Sequence, residues 1–407
     1  MKIRRPSPHL IVFTLWLLVF SSASQTMIIS PILPRIGEEL GIPDAALGTL
    51  VSVYSLMLGV FAILAGPVSD KIGRRRILLL GTATMTVALA LHGLVQGYAS
   101  FLVVRLFSGM AGGMLSGAAV SYIGDYFPYN RRGWATGWVM SGAAAGQIVG
   151  IPLGIALSGR WGFRAPFYIF ALTMAITVLI IWLRIPQPPV KRTKGPLSVG
   201  QSARDYWAML QRPEVRWASA AYFTMFLGVS LFVVYMPTWM ERDLGATPNQ
   251  IALMYLLGGV ANVITGPQAG HLSDRIGRRK IVLLACLGLS VVMVATPWFV
   301  RSPEVAYPVF FLTMVLIAMR TSPFSALLTA LVKDERRGSL MSLSVALGQM
   351  GMAVGGAVAG PLFASAGYAS NATLAAASVL AMGLIVWNFI PEPIGEPASP
   401  PQMDSMP

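Results

Sequence analysis

Charged residues and cysteines are both scarce in this sequence. Only 11% of the 407 residues are Asp, Glu, Lys or Arg and 55% are hydrophobic. A soluble domain carries roughly a quarter charged residues, so the composition excludes an ordinary soluble enzyme or binding domain. The single cysteine, Cys286, excludes an intramolecular disulfide and a Cys-based metal site. With three scattered histidines (His9, His92 and His271), we expect no metal, no cofactor and no enzymatic activity.

Long apolar runs fill most of the chain. A bilayer core of about 30 Å needs about 20 apolar residues in a helix. Runs of that length fall at roughly 10–33, 45–66, 77–97, 99–123, 134–157, 165–184, 217–238, 249–270, 281–300, 305–331, 339–363 and 372–390. The sequence therefore predicts an all-α polytopic membrane protein with twelve transmembrane helices. The basic amino end resembles a secretory signal, but its apolar run continues to residue 33, so we interpret it as the first helix.

The predicted helices form two groups of six. We assign residues 1–184 to an amino-terminal bundle, 185–216 to a polar, Pro-rich cytoplasmic linker, 217–391 to a carboxy-terminal bundle and 392–407 to a disordered cytoplasmic tail. With the amino end in the cytoplasm, the outer loops hold few basic residues, namely Arg35, Arg160, Arg164, Arg242 and Arg301. The positive-inside rule then places both termini inside a bacterial-type inner membrane. This distribution accounts for the net charge of +14, and we expect no nucleic-acid partner.

A short motif occurs twice, half the chain apart. GPVSDKIGRRR at 66–76 returns as GHLSDRIGRRK at 270–280, and RRG at 131–133 returns at 336–338. Six helices separate the copies, so both copies lie on the same side of the membrane. Parallel repeats of this kind are the arrangement of two-bundle transporters, which bind substrate between the bundles.

The two motifs resemble the loop signatures between helices 2 and 3 and between helices 8 and 9 of the major facilitator superfamily. The resemblance extends over essentially residues 10–391 and is closest in kind to the drug and sugar efflux branch. It implies a secondary active transporter that moves a small molecule across the lipid bilayer by alternating access. It also implies proton coupling, an exporter (an antiporter), and function as a monomer.

The resemblance assigns a gating role to the motif residues, which are Gly66, Asp70, Gly73, Arg74, Gly270, Asp274, Gly277 and Arg278. We expect the aspartates to cap the helix that follows, where free amides favour negative charge. We expect Arg74 to pair with Asp125 at the end of the fourth helix. In the family this network holds the cytoplasmic side closed. The alternative is that these charges only set the topology.

Two arginines lie inside predicted helices, where a charge costs at least about 2.5–3.5 kcal/mol without a polar partner. Arg105 belongs to RLFSGMAGG at 105–113, similar to the family's helix-4 motif, which implies a role in proton coupling. Its alternative is snorkelling to the nearby outer boundary. Arg320 lies near the middle of the tenth helix, which lines the central cavity in the family. It is therefore a candidate for substrate binding, or alternatively bonds carbonyl groups near Pro323.

Helix 5 carries glycines at four-residue spacing, Gly142, Gly146 and Gly150, followed by Pro152, similar to the glycine–proline motif of the family's exporters. Ile151 separates Gly150 from Pro152, which departs from that motif. We expect this face to pack closely on a neighbouring helix. Further polar residues inside helices are candidates for substrate contact, among them Gln25, Tyr235 and Asn262.

Carboxylates are absent from the middle of every predicted helix, because all 16 Asp and Glu residues lie at or beyond helix ends. A cavity without an acid disfavours organic cations. We therefore predict an exporter of small neutral or anionic amphipathic solutes. One alternative is a carrier of small organic anions that uses Arg320 and Arg105. A second, from another class, is a membrane sensor that does not transport.

Overall fold

The computed structural model describes residues 7–188, 199–330 and 334–392, and these residues form helices and short connections without a strand. The first half contains six spans, numbered in chain order. They are span 1 (Pro8–Met27 continued by Ile29–Leu40), span 2 (Asp44–Ile72), span 3 (Arg74–Leu91), span 4 (Tyr98–Leu115 continued by Ala118–Tyr126), span 5 (Tyr129–Ala145, a π-helical turn at Gly146–Gly150, and Ile151–Trp161) and span 6 (Ala165–Arg184).

The second half repeats this order after a helix inside the predicted linker. Its elements are the linker helix (Val199–Leu210), span 7 (Pro213–Val233 continued by Met236–Leu244), span 8 (Pro248–Ile276), span 9 (Arg278–Phe299), span 10 (Pro303–Ala330), and a last helix, Asp334–Phe389, that holds spans 11 (334–366) and 12 (368–389). The linker helix places its apolar residues Met209 and Leu210 against Leu340 and Leu343 at the start of span 11.

Eleven helices of the described chain are long and apolar enough to cross a membrane, and the last of them supplies two passes. Its apolar part, Leu340–Phe389, has 50 residues. A straight helix rises 1.5 Å per residue, so it would measure about 75 Å, more than twice the bilayer core. Gly367 turns the chain between the two passes with φ 70° and ψ −177°. The twelve predicted transmembrane helices are therefore confirmed.

Spans 1 and 7 are broken at equivalent depths, and proline explains both breaks. Pro237 has no N–H to donate, so the carbonyl of Val233 lacks its usual helical partner, and the helix is interrupted at Val234 and Tyr235. In span 1 the break falls at Ile28, and Pro31 removes the partner of the Met27 carbonyl in the same way. Carbonyl groups are thus available for side chains at these two points.

Glycine faces bring span 5 onto span 1 and span 11 onto span 7. A Cβ on Gly142 would lie 2.7 Å from the Trp16 oxygen, and one on Gly146 would lie 3.0 Å from Ser24 Oγ. In the second half a Cβ on Gly355 would lie 2.6 Å from Ser230 Cβ. These approaches leave no room for a side chain, which is the close packing that small residues permit in membranes.

Candidate functional site

The two halves meet at the breaks of spans 1 and 7. Ser30 Oγ, just beyond the break in span 1, donates to the carbonyl oxygens of Val233 and Val234 at 3.0 and 2.9 Å. The proline at 237 leaves the Val233 carbonyl without a helical partner, so the serine supplies the missing donor. The contact therefore joins the two halves at the points where spans 1 and 7 are broken.

A second set of contacts joins spans 2 and 7 next to the first. The hydroxyl of Tyr235 donates to the Asp44 main-chain oxygen at 2.5 Å and accepts from the Gly48 amide at 2.8 Å. The Asp44 carboxylate also forms an ion pair with Arg242. We call these residues of both halves, Ser30, Asp44, Gly48, Val233, Val234, Tyr235 and Arg242, the seal.

Spans 2 and 11 are in contact near the seal and apart at their other ends. A Cβ on Gly360 would clash with the Ala45 oxygen of span 2, and one on Gly356 would lie 2.8 Å from the Gly48 oxygen. Further along span 2, a Cβ on Gly59 would still lie 3.0 Å from the Ala346 oxygen, whereas one on Gly66 would meet no atom of the described residues within 4 Å. The contact between the halves along this seam thus ends before the motif is reached.

Spans 5 and 8 form the other seam and show the same asymmetry. A Cβ on Gly259 would lie 3.2 Å from the Gln147 oxygen in the π-helical turn. One on Gly266, two turns nearer the motif, would have no neighbour within 4 Å in the part of the chain that the structure describes. The π-helical turn is where span 5 faces the other half, and such turns are frequent at functional sites. Together the seams define a cleft that is closed at the seal and open toward the motifs.

In the first copy of the motif, Arg74 joins three spans of one half. Its guanidinium forms an ion pair with Asp70 at 2.7 Å and with Asp125 of span 4 at 2.5 Å, and donates to Ser69 Oγ at 2.9 Å. Gly73 separates spans 2 and 3 with φ 100°, a conformation that favours glycine and directs Arg74 back over the end of span 2.

The second copy has the same form with one substitution. Arg278 pairs with Asp274 at 2.9 Å, and Gly277 has φ 109°. Instead of a carboxylate on span 10, Arg278 reaches the Ala326 main-chain oxygen at 3.3 Å. Among the described residues, the partners of Arg74 and of Arg278 each lie within one half, and in this conformation these contacts order the motif turns. Their role in gating stays a prediction.

The motif sequences predict that Asp70 and Asp274 cap the helices that follow, and this prediction is wrong in the described structure, where other residues supply the caps. Both aspartates lie in the last turn of the preceding helix. The amides of Arg278 and Arg279 instead donate to the two oxygens of Glu392, each at 2.7 Å. In the first half the amide of Arg75 donates to Gln187 at 3.0 Å.

The residues that supply these caps follow spans 6 and 12. Gln187 and Glu392 occur in IPQP and IPEP, two matching segments that follow the last span of each half. Glu392, the first residue of the predicted tail, is thus held in place, while residues 393–407 lie outside the described chain.

Arg105 is buried inside the first half, 1% exposed, and does not snorkel to the surface. Its Nε donates to the Leu50 carbonyl at 3.1 Å, and its guanidinium lies 4.2 Å from the centre of the Tyr54 ring. The Tyr54 hydroxyl in turn bonds Gln25 at 2.8 Å and Thr26 at 2.7 Å. Arg105 is therefore connected to span 1, at the wall of the cleft, through one tyrosine that the sequence analysis did not identify.

Arg320 is 0% exposed and lies inside the second half, facing Cys286 of span 9. None of its three guanidinium nitrogens has a hydrogen-bond partner among the described residues, so the predicted alternative of carbonyl bonds near Pro323 is not seen there. Both arginines thus face neighbouring helices of their own half in this conformation. Their roles in substrate binding or coupling stay predictions.

The remaining candidates lie at different places along the cleft. Asn262 is half-buried on span 8, one turn from Gly259 and hence on the face that meets span 5. Gln25 is fully buried in the Tyr54 network. The hydroxyl of Tyr235 is occupied by its contacts in the seal, so in this conformation it joins the halves and is not free to bind a substrate. Gly150 and Pro152 flank the end of the π-helical turn, beside span 1.

The family of the chain follows from comparison with known proteins. The family model described as "Major Facilitator Superfamily" matches residues 15–242 and again residues 218–405, which together cover almost the whole chain. The chain belongs to the Major Facilitator Superfamily.

Similar superfamily members span nearly the same length. The "Uncharacterized MFS-type transporter YwfA" of Bacillus subtilis (strain 168) is 26% identical over 392 residues, covering 95% of this chain and 93% of that protein. The "Multidrug resistance protein MdtG" of Dickeya zeae (strain Ech586) is 31% identical over 304 residues, covering 72% of each. The crystal structure of a D-xylose-proton symporter superposes with a TM-score of 0.77 at 18% identity, covering 94% of this chain and 98% of the symporter.

Membership in the superfamily relates the cleft between the halves to transport. The chain is a multi-span integral membrane protein of a transporter family, and transporters of this fold bind small molecules between their halves. The conformation in hand has the cleft sealed at one membrane face and open at the motif face.

Proposed function

We propose that the protein is a proton-coupled exporter of small neutral or anionic amphipathic solutes in the inner membrane. The seal carries this proposal, because its contacts are hydrogen bonds and an ion pair that join the halves at one face, while the other face is open. A few such contacts can be exchanged for others at moderate cost in free energy, as alternating access requires. With the motifs in the cytoplasm, as the positive-inside rule predicts, the structure corresponds to the inward-open state.

The chemistry of the cleft supports the substrate class. No Asp or Glu lies in the middle of a span, and the polar groups along the cleft wall are amides and hydroxyls such as Thr26, Gln147 and Asn262. Such groups orient a neutral or anionic solute and offer no charge partner to an organic cation. The resemblance to MdtG, a multidrug resistance protein by name, supports export as the direction of transport.

A transport assay tests the proposal. The purified protein is placed in liposomes with three fluorescent amphipathic probes of similar size, one neutral, one anionic and one cationic, and a pH gradient is imposed. We expect the neutral or anionic probe to accumulate against its gradient on the acidic side, and accumulation to stop when an ionophore collapses the gradient. Accumulation of the cationic probe alone would contradict the proposed substrate class. A protein that moves none of the probes would favour a membrane sensor.

A carrier of organic anions is a second candidate, and the unpartnered guanidinium of Arg320 favours it. If an anionic substrate pairs with Arg320, then Arg320→Ala should reduce transport of the anionic probe at least tenfold and leave the neutral probe unchanged. Equal transport of the anionic probe by the variant would remove this candidate.

A further inference from the structure

Three carboxamide side chains lie inside spans without a hydrogen-bond partner in the described chain. They are Gln147 of span 5, Asn262 of span 8 and Gln349 of span 11, and each is half-buried. None of them forms a hydrogen bond with another described residue, and their polar atoms are accessible. Gln25 and Asn371 differ, because both are fully buried and donate to groups of neighbouring helices or turns.

Gln147 and Gln349 lie at equivalent places on the two seams. A Cβ on Gly259 of span 8 would lie 3.3 Å from Gln147 Cγ, and a Cβ on Gly59 of span 2 would lie 3.2 Å from Gln349 Cβ. In each seam, a glutamine of one half thus faces a glycine of the other half. Asn262 is one turn from Gly259 on the side toward the motifs, where the halves begin to separate. The three side chains therefore lie where the cleft begins.

The three residues also lie at similar depths in the membrane. With a rise of 1.5 Å per residue, Gln147 and Asn262 are about 21 Å and Gln349 about 26 Å from the end of their spans on the seal side. These positions are in the interior of a bilayer core of about 30 Å. A carboxamide without a hydrogen bond is strongly unfavourable against lipid, so these side chains face the water of the cleft. We call Gln147, Asn262 and Gln349 the cleft amides.

The chemistry of a carboxamide defines the solute that it binds best. Each one offers an acceptor oxygen and two N–H donors, so a hydroxyl or an amide pairs with it in both directions. An anion only accepts, and would leave the carboxamide oxygens without a donor. The arginines inside the spans offer an anion little compensation in this conformation, because Arg105 and Arg320 are 1% and 0% exposed within their own halves.

We infer that the cleft amides bind the transported solute and select neutral molecules that carry a hydroxyl or amide group over anions. Gln147 belongs to the first half, and Asn262 and Gln349 belong to the second half, so one bound solute contacts both halves at the closed end of the cleft. The inference rests on the proposed function and narrows its substrate class from neutral or anionic solutes to neutral solutes with hydrogen-bond donors and acceptors.

The first test measures equilibrium binding to the purified protein in detergent. The probes are a dansyl-labelled alkyl chain that ends in a primary amide, its N,N-dimethyl form, which lacks the terminal donors, and its carboxylate form. We expect wild type to bind the primary amide at least tenfold more tightly than either of the other two. Equal affinity for the amide and its dimethyl form, or tighter binding of the carboxylate, would overturn the inference.

Variants of the two glutamines assign the preference to the cleft amides. Gln147→Met and Gln349→Met keep the length of the side chain and remove its hydrogen bonds. We expect each variant to reduce the preference for the primary amide over the dimethyl form at least threefold, because one set of hydrogen bonds is lost. Thermal unfolding in detergent confirms that each variant is folded. An unchanged preference in either variant would remove that residue from the site.

A change of charge at Gln349 gives a test that misfolding cannot imitate. Gln349→Glu places a carboxylate among the cleft amides, and we expect binding of the ammonium form of the dansyl probe to tighten at least tenfold. Gln96→Glu is the matched control, since Gln96 is exposed in the connection between spans 3 and 4. We expect this control to change the affinity less than twofold. An equal response of the two variants would overturn the position of Gln349 in the site.

These binding tests use neither a gradient nor transport, so the inference and the proposed function fail separately. Liposomes that move the dansyl probes regardless of the terminal group and of the variants would overturn the inference and keep the exporter. Tight and selective binding of the primary amide, without its movement under a pH gradient, would overturn the exporter and keep the site.

Discussion

The hydroxyl of Tyr235 contacts two main-chain groups in the first turn of span 2, the carbonyl of Asp44 and the amide of Gly48. It donates to the first at 2.5 Å and accepts from the second at 2.8 Å. These two groups are four residues apart, which is the spacing of a hydrogen bond within an α-helix. The second half thus contacts both groups of one helical hydrogen-bonding position in the first half. When the halves separate, a hydrogen bond within span 2 satisfies both groups, so opening leaves neither of them without a partner.

Tyr235→Phe should shift the protein away from the state with a closed seal. The phenyl ring keeps the packing, and the net loss is that of ordinary hydrogen bonds, about 0.5–1.5 kcal/mol each. We expect the fraction with a closed seal to fall severalfold, measured as distances between spin labels on the two halves. Tyr98→Phe is the control, since the Tyr98 hydroxyl contacts Thr49 within one half. An equal shift in both variants would contradict a specific role for Tyr235.

Gly356→Ala should block closure of the seal without unfolding either half. The added Cβ would lie 2.8 Å from the Gly48 oxygen and from Ser52 Oγ, both in the first half. We expect transport to fall at least tenfold while the purified protein keeps its thermal stability. Gly266→Ala serves for comparison, because its Cβ meets no atom within 4 Å. Full activity of Gly356→Ala would show that spans 2 and 11 do not need this close approach.

Glu392→Ala should destabilise the second half. It removes a charged acceptor from the amides of Arg278 and Arg279 at the positive end of span 9, a cap worth about 1–2 kcal/mol. Glu392→Gln should cost less, because Gln187 performs the same task in the first half with a neutral amide. Thermal unfolding in detergent measures both. If the two variants were equally stable, the charge of Glu392 would have no part in the cap.

Gly150→Ala should disrupt the contact of span 5 with span 1, and Ser24→Gly should restore it. The added Cβ would lie 2.7 Å from Ser24 Cβ and closer still to its hydroxyl oxygen. Overpacking of this kind costs about 1–3 kcal/mol. We expect lower thermal stability in the single variant and recovery of most of the loss in the double variant. A double variant less stable than Gly150→Ala alone would place the clash elsewhere.

The sequence predicts span number, repeat and family well, because apolar length and motif spacing are properties of the chain alone. It does not fix the rotation of each helix. Arg320 is in the predicted span yet is fully buried beside Cys286 in this conformation, and Tyr235 belongs to the seal. The partner of Arg105, Tyr54, could not be identified because pairs between helices depend on those rotations.

Some features that the sequence analysis missed did leave a signal in the chain. Pro237 marks the break in span 7, and the paired IPQP and IPEP segments mark the caps at Gln187 and Glu392. A proline in a span frees a carbonyl group, and a repeated polar residue after a span is a candidate cap. The orientation of Asp70 and Asp274 toward the arginines four residues on is likewise readable from helical spacing once the helix ends are known.

The central claim is that the two halves separate at the seal in every transport cycle. A cross-link between cysteines at Ser30 and Val234, whose side-chain and main-chain oxygens lie 2.9 Å apart across the halves, tests it most directly. A cross-link between Ser21 and Thr173, 2.7 Å apart within the first half, is the control. We predict that cross-linking at the seal abolishes transport of the fluorescent probe, that a reductant restores it, and that the control keeps its activity. Undiminished transport with the seal fully cross-linked would contradict the account.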